Sequence, residues 1–402
     1  MDVVDGVRMP GPLAPYARGF AAELAWLGFT RYSAQKQLQL AAHVSRWLDD
    51  AGLGTADLSA AAVDGFLAAR RDAGHGEFIT PKALAPLLGY LRGLGVAPQP
   101  ELPAPQTLAE QLLAEYRGWL LTERGLRVKV VRGYVDSVAP FVTAHCGAGE
   151  AGLRSLDAGD VTAFMTAGSR RLAPKTVQRL ASALRSLLRY WHLQGVISAR
   201  LDQVVPRIAN RRPGLPRPLE QSQAAALLAS CDLQTATGRR DLAMLTLLAR
   251  MGLRAGEVAG LTLADIDWRN GEITIAGKGN RRDRLPLPAD AGQAIAAYLR
   301  DGRPAGAVDR SVFIRARAPR CGLTAGGVTQ AVAAAAGRAG LGTIYAHRLR
   351  HTAATAILAS GGSLAEIGQV LRHRRPLTTA AYVKVSVDAL RTLARPWPGA
   401  SS

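Results

Sequence analysis

The chain has 402 residues, of which 48% are hydrophobic, and this suffices for two or three domains with folded cores. Its formal net charge of +19 is uneven: residues 1–103 carry −1, residues 104–213 carry +8 and residues 214–402 carry +12. The later segments have the charge of a polyanion-binding protein, although a basic protein with no such partner remains an alternative. We expect neither a membrane span nor a secretory signal, because no run of about 18 apolar residues occurs and the first residues lack a basic, then apolar, pattern.

Three cysteines, Cys146, Cys231 and Cys321, lie far apart in the sequence and form no Cys-x-x-Cys pair. Widely spaced cysteines are typical of reduced, structural thiols in a cytosolic protein. We therefore expect a cytoplasmic protein.

Two helical segments with a similar pattern make up the first half of the chain. Residues 16–98 and 107–200 both have apolar residues at helical spacing, and a Leu-x4-Val-x2-Phe motif begins at Leu58 and again at Leu156. A Leu-Leu-x-Tyr motif followed by Gly-Val occurs within residues 87–96 and again within residues 187–196. We predict a duplicated helical domain; chance matches among leucine-rich helices are the alternative. Four prolines within residues 98–105 separate the copies, because proline cannot continue a helix.

A second proline-rich linker, residues 206–218, leads into the last part of the chain. Apolar patterns predict helices at residues 219–229, 241–251 and 255–261, and three short strands at residues 266–268, 272–276 and 282–287. Asn270-Gly271 favours a turn between the first two strands, and Gly277-Lys278-Gly279-Asn280 favours a turn between the second pair. Glycines beside Lys278 would let its ammonium group reach a phosphate, whereas an exposed turn lysine is the alternative.

The remaining sequence predicts helices at residues 289–300, 323–339, 347–359 and 364–371, and a short helix that begins at Thr378. In the third of these, His347, Arg350 and His351 are spaced i, i+3 and i+4, so that they share one face. His373 follows the next helix, and the last helix carries Tyr382.

Imidazole, guanidinium and phenol groups gathered in this way favour phosphoryl transfer with tyrosine as the nucleophile. A phenol can attack phosphate and is also a good leaving group, so the covalent step is reversible. A guanidinium binds two phosphate oxygens with its planar fork. A basic helical hairpin with an ordinary core tyrosine is the alternative for this stretch taken alone.

The whole pattern resembles the tyrosine recombinase (phage integrase) family over about residues 105–390. That family has an Arg in a Leu-Arg-x-Gly-Glu motif, a Lys in a β-turn, a His-x-x-Arg motif, a His or Trp, and then a Tyr. All six positions occur here in that order: Arg254, Lys278, His347, Arg350, His373 and Tyr382.

Two positions depart from the family pattern. Leu371-Arg372-His373 stands where the family usually has Leu-Gly-His, and Val383-Lys384 follows Tyr382 where the family often has x-His. Neither departure removes a catalytic group, but we expect Arg372 to alter the local backbone geometry.

The resemblance implies a mainly α-helical fold with a small three-stranded antiparallel sheet, in which helical DNA-clamp domains precede a tyrosine recombinase catalytic domain. We predict an N-terminal helical domain in residues 1–103, a candidate duplicate of the next; a core-binding, DNA-binding helical domain in residues 104–206; and the catalytic domain in residues 207–402. The candidate phosphate contacts of the core-binding domain are Lys129, Arg132, Lys175 and Arg179. For each of them a solvated helix face is the alternative.

The resemblance also implies how the reaction proceeds. Tyr382 would attack the scissile phosphate and form a 3′-phosphotyrosyl link, while Arg254 and Arg350 hold the non-bridging oxygens. Lys278 would protonate the 5′-hydroxyl leaving group, and His347 would assist proton transfer at the tyrosine.

The remaining residues of the motif have supporting roles. His373 would donate a hydrogen bond to a phosphate oxygen, Glu257 would orient Arg254, and His351 would be a buried structural histidine. No cofactor is expected. No metal ion is expected either, because the arginines supply the positive charge.

These observations predict a site-specific DNA recombinase or integrase of a mobile element, associated with the nucleoid. It would act on double-stranded DNA as a homotetramer across two sites, alone or with partner recombinases. A type IB topoisomerase shares the chemistry but relaxes DNA as a monomer, so supercoil relaxation without strand exchange would indicate that alternative. A catalytically silent DNA-binding regulator is a third hypothesis, against which the intact set of six residues argues.

Overall fold

The computed structural model describes residues 2–4, 6–100, 105–147, 149–208, 218–277, 282–307 and 309–372. The chain divides into two compact units. One unit contains Met1–Pro100 together with Leu215–Ser402, and the other contains Glu101–Gly214.

The N-terminal part of the first unit is a β-hairpin followed by helices. Strands β1 (Asp2–Val4) and β2 (Val7–Met9) pair antiparallel on either side of Gly6, whose φ of 77° suits glycine. The helices are α1 (Ala17–Trp26), α2 (Arg31–Asp50), α3 (Ala60–Asp72) and α4 (Pro81–Gly93). Their apolar faces meet around fully buried residues such as Phe20, Leu24 and Leu38. The predicted helical character of residues 16–98 is confirmed, whereas the hairpin was not predicted.

The second unit is a helical bundle with its own core. Its helices are α5 (Leu108–Thr122), α6 (Val128–His145), α7 (Gly149–Arg154), α8 (Ala158–Arg171) and α9 (Pro174–Leu193). Thr107 and Glu110 form a capping box that begins α5, since each side chain accepts the other's backbone N–H at 3.2 Å. Trp191 and Tyr116 are completely buried, and the Tyr116 hydroxyl donates to the carbonyl of Ala183 at 3.3 Å.

The ends of α4 and α9 have the same hydrogen bonds. The N–H of Gly95 donates to the carbonyl three residues earlier and that of Val96 to the carbonyl five residues earlier, and Gly195 and Val196 repeat both bonds. Both glycines have a φ of 72°, as expected where a helix ends in the left-handed region. This agreement supports the predicted duplication, which itself stays a prediction.

The later part of the first unit packs helices against a small sheet. Its helices are α10 (Gln221–Ala229), α11 (Ala236–Met251), α12 (Ala255–Ala259), α13 (Ala289–Asp301), α14 (Ala325–Arg338), α15 (Ala346–Ala359) and α16 (Leu364–Val370). Strands β3 (Ile266–Asp267), β4 (Glu272–Ala276) and β5 (Arg282–Pro286) form an antiparallel sheet in that order. Ile273 and Ile275 are completely buried while their neighbours in β4 are not, so one face of the sheet covers the core.

The predicted fold class, mainly helical with a three-stranded antiparallel sheet, is confirmed. The three predicted domains stay a prediction, and the grouping of residues 1–100 with residues 215–402 was not anticipated. Within that unit the backbone N–H of Arg320 donates to the carbonyl of Leu27 at 2.8 Å. In the described part of the chain no helix is long and apolar enough to cross a membrane.

Candidate active site

Three of the six predicted catalytic residues lie in the described part of the chain. Arg254 precedes α12, and His347 and Arg350 lie in α15. The other three, Lys278, His373 and Tyr382, lie outside the described residues, as do the turn around Lys278 and the predicted helix from Thr378.

Arg254 lies at the start of α12, where a sharp turn follows α11. Gly252 ends α11 in the left-handed region, with a φ of 57°, and an added Cβ would lie 2.5 Å from Cδ2 of Leu371. The backbone N–H of Arg254 donates to Oε2 of Glu257 at 2.8 Å, and its Nη1 donates to Oε1 at 2.5 Å. The Arg254 side chain is 48% exposed while that of Glu257 is 7% exposed. The structure shows the contact between Glu257 and Arg254 that the resemblance implied, and the Arg254 guanidinium remains open to solvent.

Arg350 is almost completely buried, with 2% of its surface exposed. Its guanidinium donates to the carbonyl oxygens of Gly252 and Leu371. These bonds join α15 to the turn that precedes Arg254 and to the end of α16. The structure therefore brings Arg254 and Arg350 into one connected network, although they are far apart in the sequence.

His347 and His351 form a pair on α15, with ring centroids 4.3 Å apart. His347 is exposed. His351 is only partly buried, whereas we predicted a buried structural histidine. Burial, together with the neighbouring His347 and Arg350, lowers the pKa of His351 to about 4. Because this pKa is depressed, His351 is neutral at physiological pH and adds no charge beside the exposed imidazole.

Arg372 belongs to the same network, although the sequence analysis assigned it no role in the site. It has a φ of 52°, in the left-handed region that favours glycine. Arginine thus adopts a conformation that suits the glycine usual at this position, and the expected change in local backbone geometry stays a prediction. Its Nη2 donates to Oε2 of Glu257 at 2.6 Å, and its Nη1 donates to the carbonyl of Val370 at 3.1 Å. The signal in the sequence was an arginine at a position where the family usually has glycine.

Glu257 thus receives hydrogen bonds from two arginines. Burial by itself would raise its pKa, but the backbone N–H of Arg254, the charge of Arg372 and the Arg254 guanidinium together hold the pKa below its ordinary value. The carboxylate is therefore ionised throughout the neutral range. A glutamate that accepts from both guanidiniums ties the end of α16 to α12.

The four predicted DNA contacts lie on the surface of the second unit. Lys129 and Arg132 are exposed on α6, and Lys175 and Arg179 are exposed on α9. Nε of Arg132 is 3.8 Å from the carboxylate of Asp136, and both side chains are exposed. Such a solvent-exposed ion pair is weak, so the guanidinium of Arg132 can still bind a phosphate. Exposure agrees with a phosphate contact but equally with a solvated helix face.

The described part of the site offers guanidinium and imidazole groups, and the carboxylate that fixes Arg254 is buried. Guanidiniums bind anionic oxygens through charge-assisted hydrogen bonds, so the arrangement suits a phosphate group. Among the described residues, no group of three or more His, Cys, Asp or Glu side chains could hold a metal ion.

Comparison with known proteins identifies the family. The phage integrase family matches residues 217–388. The putative integrase/recombinase y4rA of Sinorhizobium fredii is 39% identical over 394 residues, which cover 97% of this chain and 95% of that protein. The chain belongs to the phage integrase family. The identification made from six ordered motif positions is thereby confirmed.

A further relative and two solved structures are also similar to this chain. Tyrosine recombinase XerC of Bacillus subtilis is 28% identical over 292 residues, covering 70% of this chain and 93% of that protein. The XerH site-specific recombinase in its post-cleavage complex with a palindromic difH substrate superposes with a TM-score of 0.57 at 20% identity, covering 83% of this chain and 94% of that one. A lambda integrase dimer bound to a core site gives a TM-score of 0.54 at 14% identity, covering 68% of this chain and 94% of that one. At these identities the likeness is one of fold.

Proposed function

We propose that this phage integrase family member is a site-specific DNA recombinase that cuts and rejoins DNA through a 3′-phosphotyrosyl intermediate on Tyr382. The observation that carries the proposal is the network of Gly252, Leu371, Arg372 and Glu257, which connects Arg350 to Arg254. It supports a site where two guanidiniums act on one phosphate. The names of the relatives, integrase/recombinase and tyrosine recombinase, support the same reaction.

In this mechanism each arginine has a distinct part. Arg254, half-exposed and fixed by Glu257, binds a non-bridging oxygen of the scissile phosphate. Arg350 is held by two backbone carbonyls and adds positive charge that stabilises the transition state from a buried position. Because both are preorganised, little side-chain entropy is lost when the phosphate binds.

The remaining groups transfer protons and complete the site. Tyr382 attacks phosphorus and displaces the 5′-oxygen, which Lys278 protonates. His347, exposed at the start of α15, assists removal of the proton from the tyrosine hydroxyl. His373 donates to a phosphate oxygen.

The proposed substrate is double-stranded DNA held by residues 104–206 and by the catalytic residues 207–402. The net charges of these parts, and the DNA complexes of the structurally similar recombinases, support such a substrate. Two DNA sites would be joined by a homotetramer, alone or with partner recombinases, as part of a mobile element associated with the nucleoid. The N-terminal residues 1–103 would form a third domain that duplicates the core-binding domain.

The decisive experiment uses DNA that flanks the gene and contains inverted repeats. A suicide substrate with a nick beside the scissile phosphate should trap a covalent adduct, and peptide mapping should place it on Tyr382. Two such sites on one plasmid should recombine. Relaxation of supercoils without strand exchange would indicate the topoisomerase alternative, and tight binding with no adduct would indicate the silent regulator.

Salt dependence tests the predicted phosphate contacts. The full chain is the appropriate protein, because residues 1–100 belong to the same compact unit as residues 215–402. The logarithm of its DNA affinity should fall linearly with the logarithm of salt concentration, and Lys175→Ala or Arg179→Ala should each reduce the slope by about 0.9. Lys36→Ala is the matched control, since it removes one charge from the nearly neutral first segment and should leave the slope unchanged. Equal slopes for all these variants would assign Lys175 and Arg179 to a solvated face.

A further inference from the structure

The end of α16 contains a backbone conformation that its residue does not favour. Arg372 has a φ of 52°, which glycine adopts freely and a long side chain does not. The chain nevertheless has arginine at this position, so contacts of the side chain must offset the unfavourable backbone conformation. Those contacts identify what the side chain does.

The Arg372 side chain is 8% exposed and is paired with a carboxylate that is 7% exposed, that of Glu257. The partners are 2.6 Å apart between Nη2 and Oε2. A carboxylate buried to this extent requires a compensating cation, because desolvation penalises an isolated charge. Arg372 supplies that cation from the other end of the network.

The same carboxylate also holds Arg254, through its other oxygen. If Glu257 were paired with Arg254 alone, the pair would have no net charge, and less of the positive potential of Arg254 would act on a phosphate. With Arg372 present, two guanidiniums share one carboxylate, so the group has a net charge of +1. The buried pair is neutral, and Arg254, 48% exposed, keeps its charge at the surface.

Residues 371 and 372 are linked to both arginines of the site, Arg350 and Arg254. The carbonyl of Leu371 accepts from Arg350, and the side chain of Arg372 donates to Glu257, which holds Arg254. Nε of Arg372 is a buried donor with no hydrogen-bond partner among the described residues. A displacement of this end of α16 would therefore disturb both arginines together.

We propose that Arg372 is a positioning residue for the recombination reaction: it neutralises and fixes Glu257 so that Glu257 orients Arg254 without cancelling its charge. This inference rests on the proposed function, since it assigns a role toward the scissile phosphate. Arg372 itself would not touch the DNA.

The test compares Arg372→Gly, Arg372→Lys and the control Arg250→Ala in the full chain. Glycine suits the left-handed backbone, so the first variant removes the side chain without adding strain. Lysine keeps a positive charge beside Glu257. Arg250→Ala also removes one charge from the catalytic part, but from a surface pair in which Arg250 is 58% exposed. DNA affinity and the rate of adduct formation at saturating suicide substrate are measured separately.

We expect R372G to bind DNA like the Arg250→Ala control but to form the adduct about 10-fold to 10²-fold more slowly, because a small displacement of a catalytic group is costly. R372K should be faster than R372G. In a Glu257→Gln background, R372G should change the rate by less than about twofold, since a residue that acts through Glu257 has no further effect once that carboxylate is lost.

Adduct formation by R372G at the wild-type rate would overturn the inference. So would a defect that appears only in DNA affinity, which would make Arg372 a DNA contact, or a full additional defect in the Glu257→Gln background. If R372G does not fold, Arg372→Asn, which also tolerates the left-handed region, is judged by the same criteria. A wild-type chain that forms no adduct would overturn the proposed function and this inference with it, whereas a failure of the inference alone leaves the wild-type adduct intact.

Discussion

Tyr382→Phe will bind DNA as tightly as the wild-type chain and will form no covalent protein–DNA adduct. The substitution removes one hydroxyl oxygen, which is the atom proposed to attack phosphorus, and keeps the aromatic ring. The guanidiniums of Arg254 and Arg350 and the basic surfaces are unchanged, so the contacts that bind DNA persist. Denaturing gels with a labelled suicide substrate measure the adduct, and fluorescence anisotropy measures affinity.

A second tyrosine provides the matched control for this experiment. Tyr345 is 61% exposed and lies two residues before His347, so its phenol is also accessible near the described part of the site. Tyr345→Phe should form the adduct at the wild-type yield. An undiminished adduct with Tyr382→Phe, or its loss with Tyr345→Phe, would show that the nucleophile has been assigned wrongly.

The sequence indicated the described part of the candidate site because its residues lie in local motifs. Arg254 and Glu257 are three residues apart, and His347 and Arg350 are three residues apart, so each pair has a fixed relation within one turn of helix. The helices and strands were predicted for a similar reason, since burial on one face repeats at the period of the element, as Ile273 and Ile275 do in β4.

The connections between motifs could not be predicted in the same way. Arg372 and Glu257 are 115 residues apart, and their ion pair depends on where α16 ends relative to α12. The two carbonyls that hold Arg350 are likewise set by tertiary packing, because a backbone oxygen carries no sequence signal. The grouping of residues 1–100 with the catalytic part is a property of the same kind.

The N-terminal hairpin of β1 and β2 was not predicted, although the sequence contains a local signal for it. Asp5-Gly6 is a common two-residue hairpin turn, and Val7 and Met9, which follow it in alternation, are both buried. The two strands have only three residues each, which is too short for alternation alone to identify them. The turn residues would have been the stronger indication.

Lys278→Ala will cleave DNA far more slowly than the wild-type chain while binding it almost equally well. Lys278 is proposed to protonate the 5′-oxygen as it leaves, whereas Arg254 is proposed to bind the phosphate and Arg350 to stabilise its charge from a buried position. Loss of a general acid typically costs on the order of 10²–10⁴-fold in rate. Single-turnover adduct formation at saturating DNA measures this loss without a contribution from affinity.

A substrate with sulfur at the 5′-bridging position separates proton donation from other roles of the lysine. A thiolate is a much weaker base than an alkoxide, so it leaves without a proton and no longer requires the acid. Lys278→Ala should therefore recover most of its rate on the sulfur substrate. Arg254→Ala is the matched control. It should remain slow, because the charge of Arg254 is proposed to act on the non-bridging oxygens, which are the same in both substrates. Equal defects of Lys278→Ala on the two substrates would show that the lysine only contacts DNA and that another group supplies the proton.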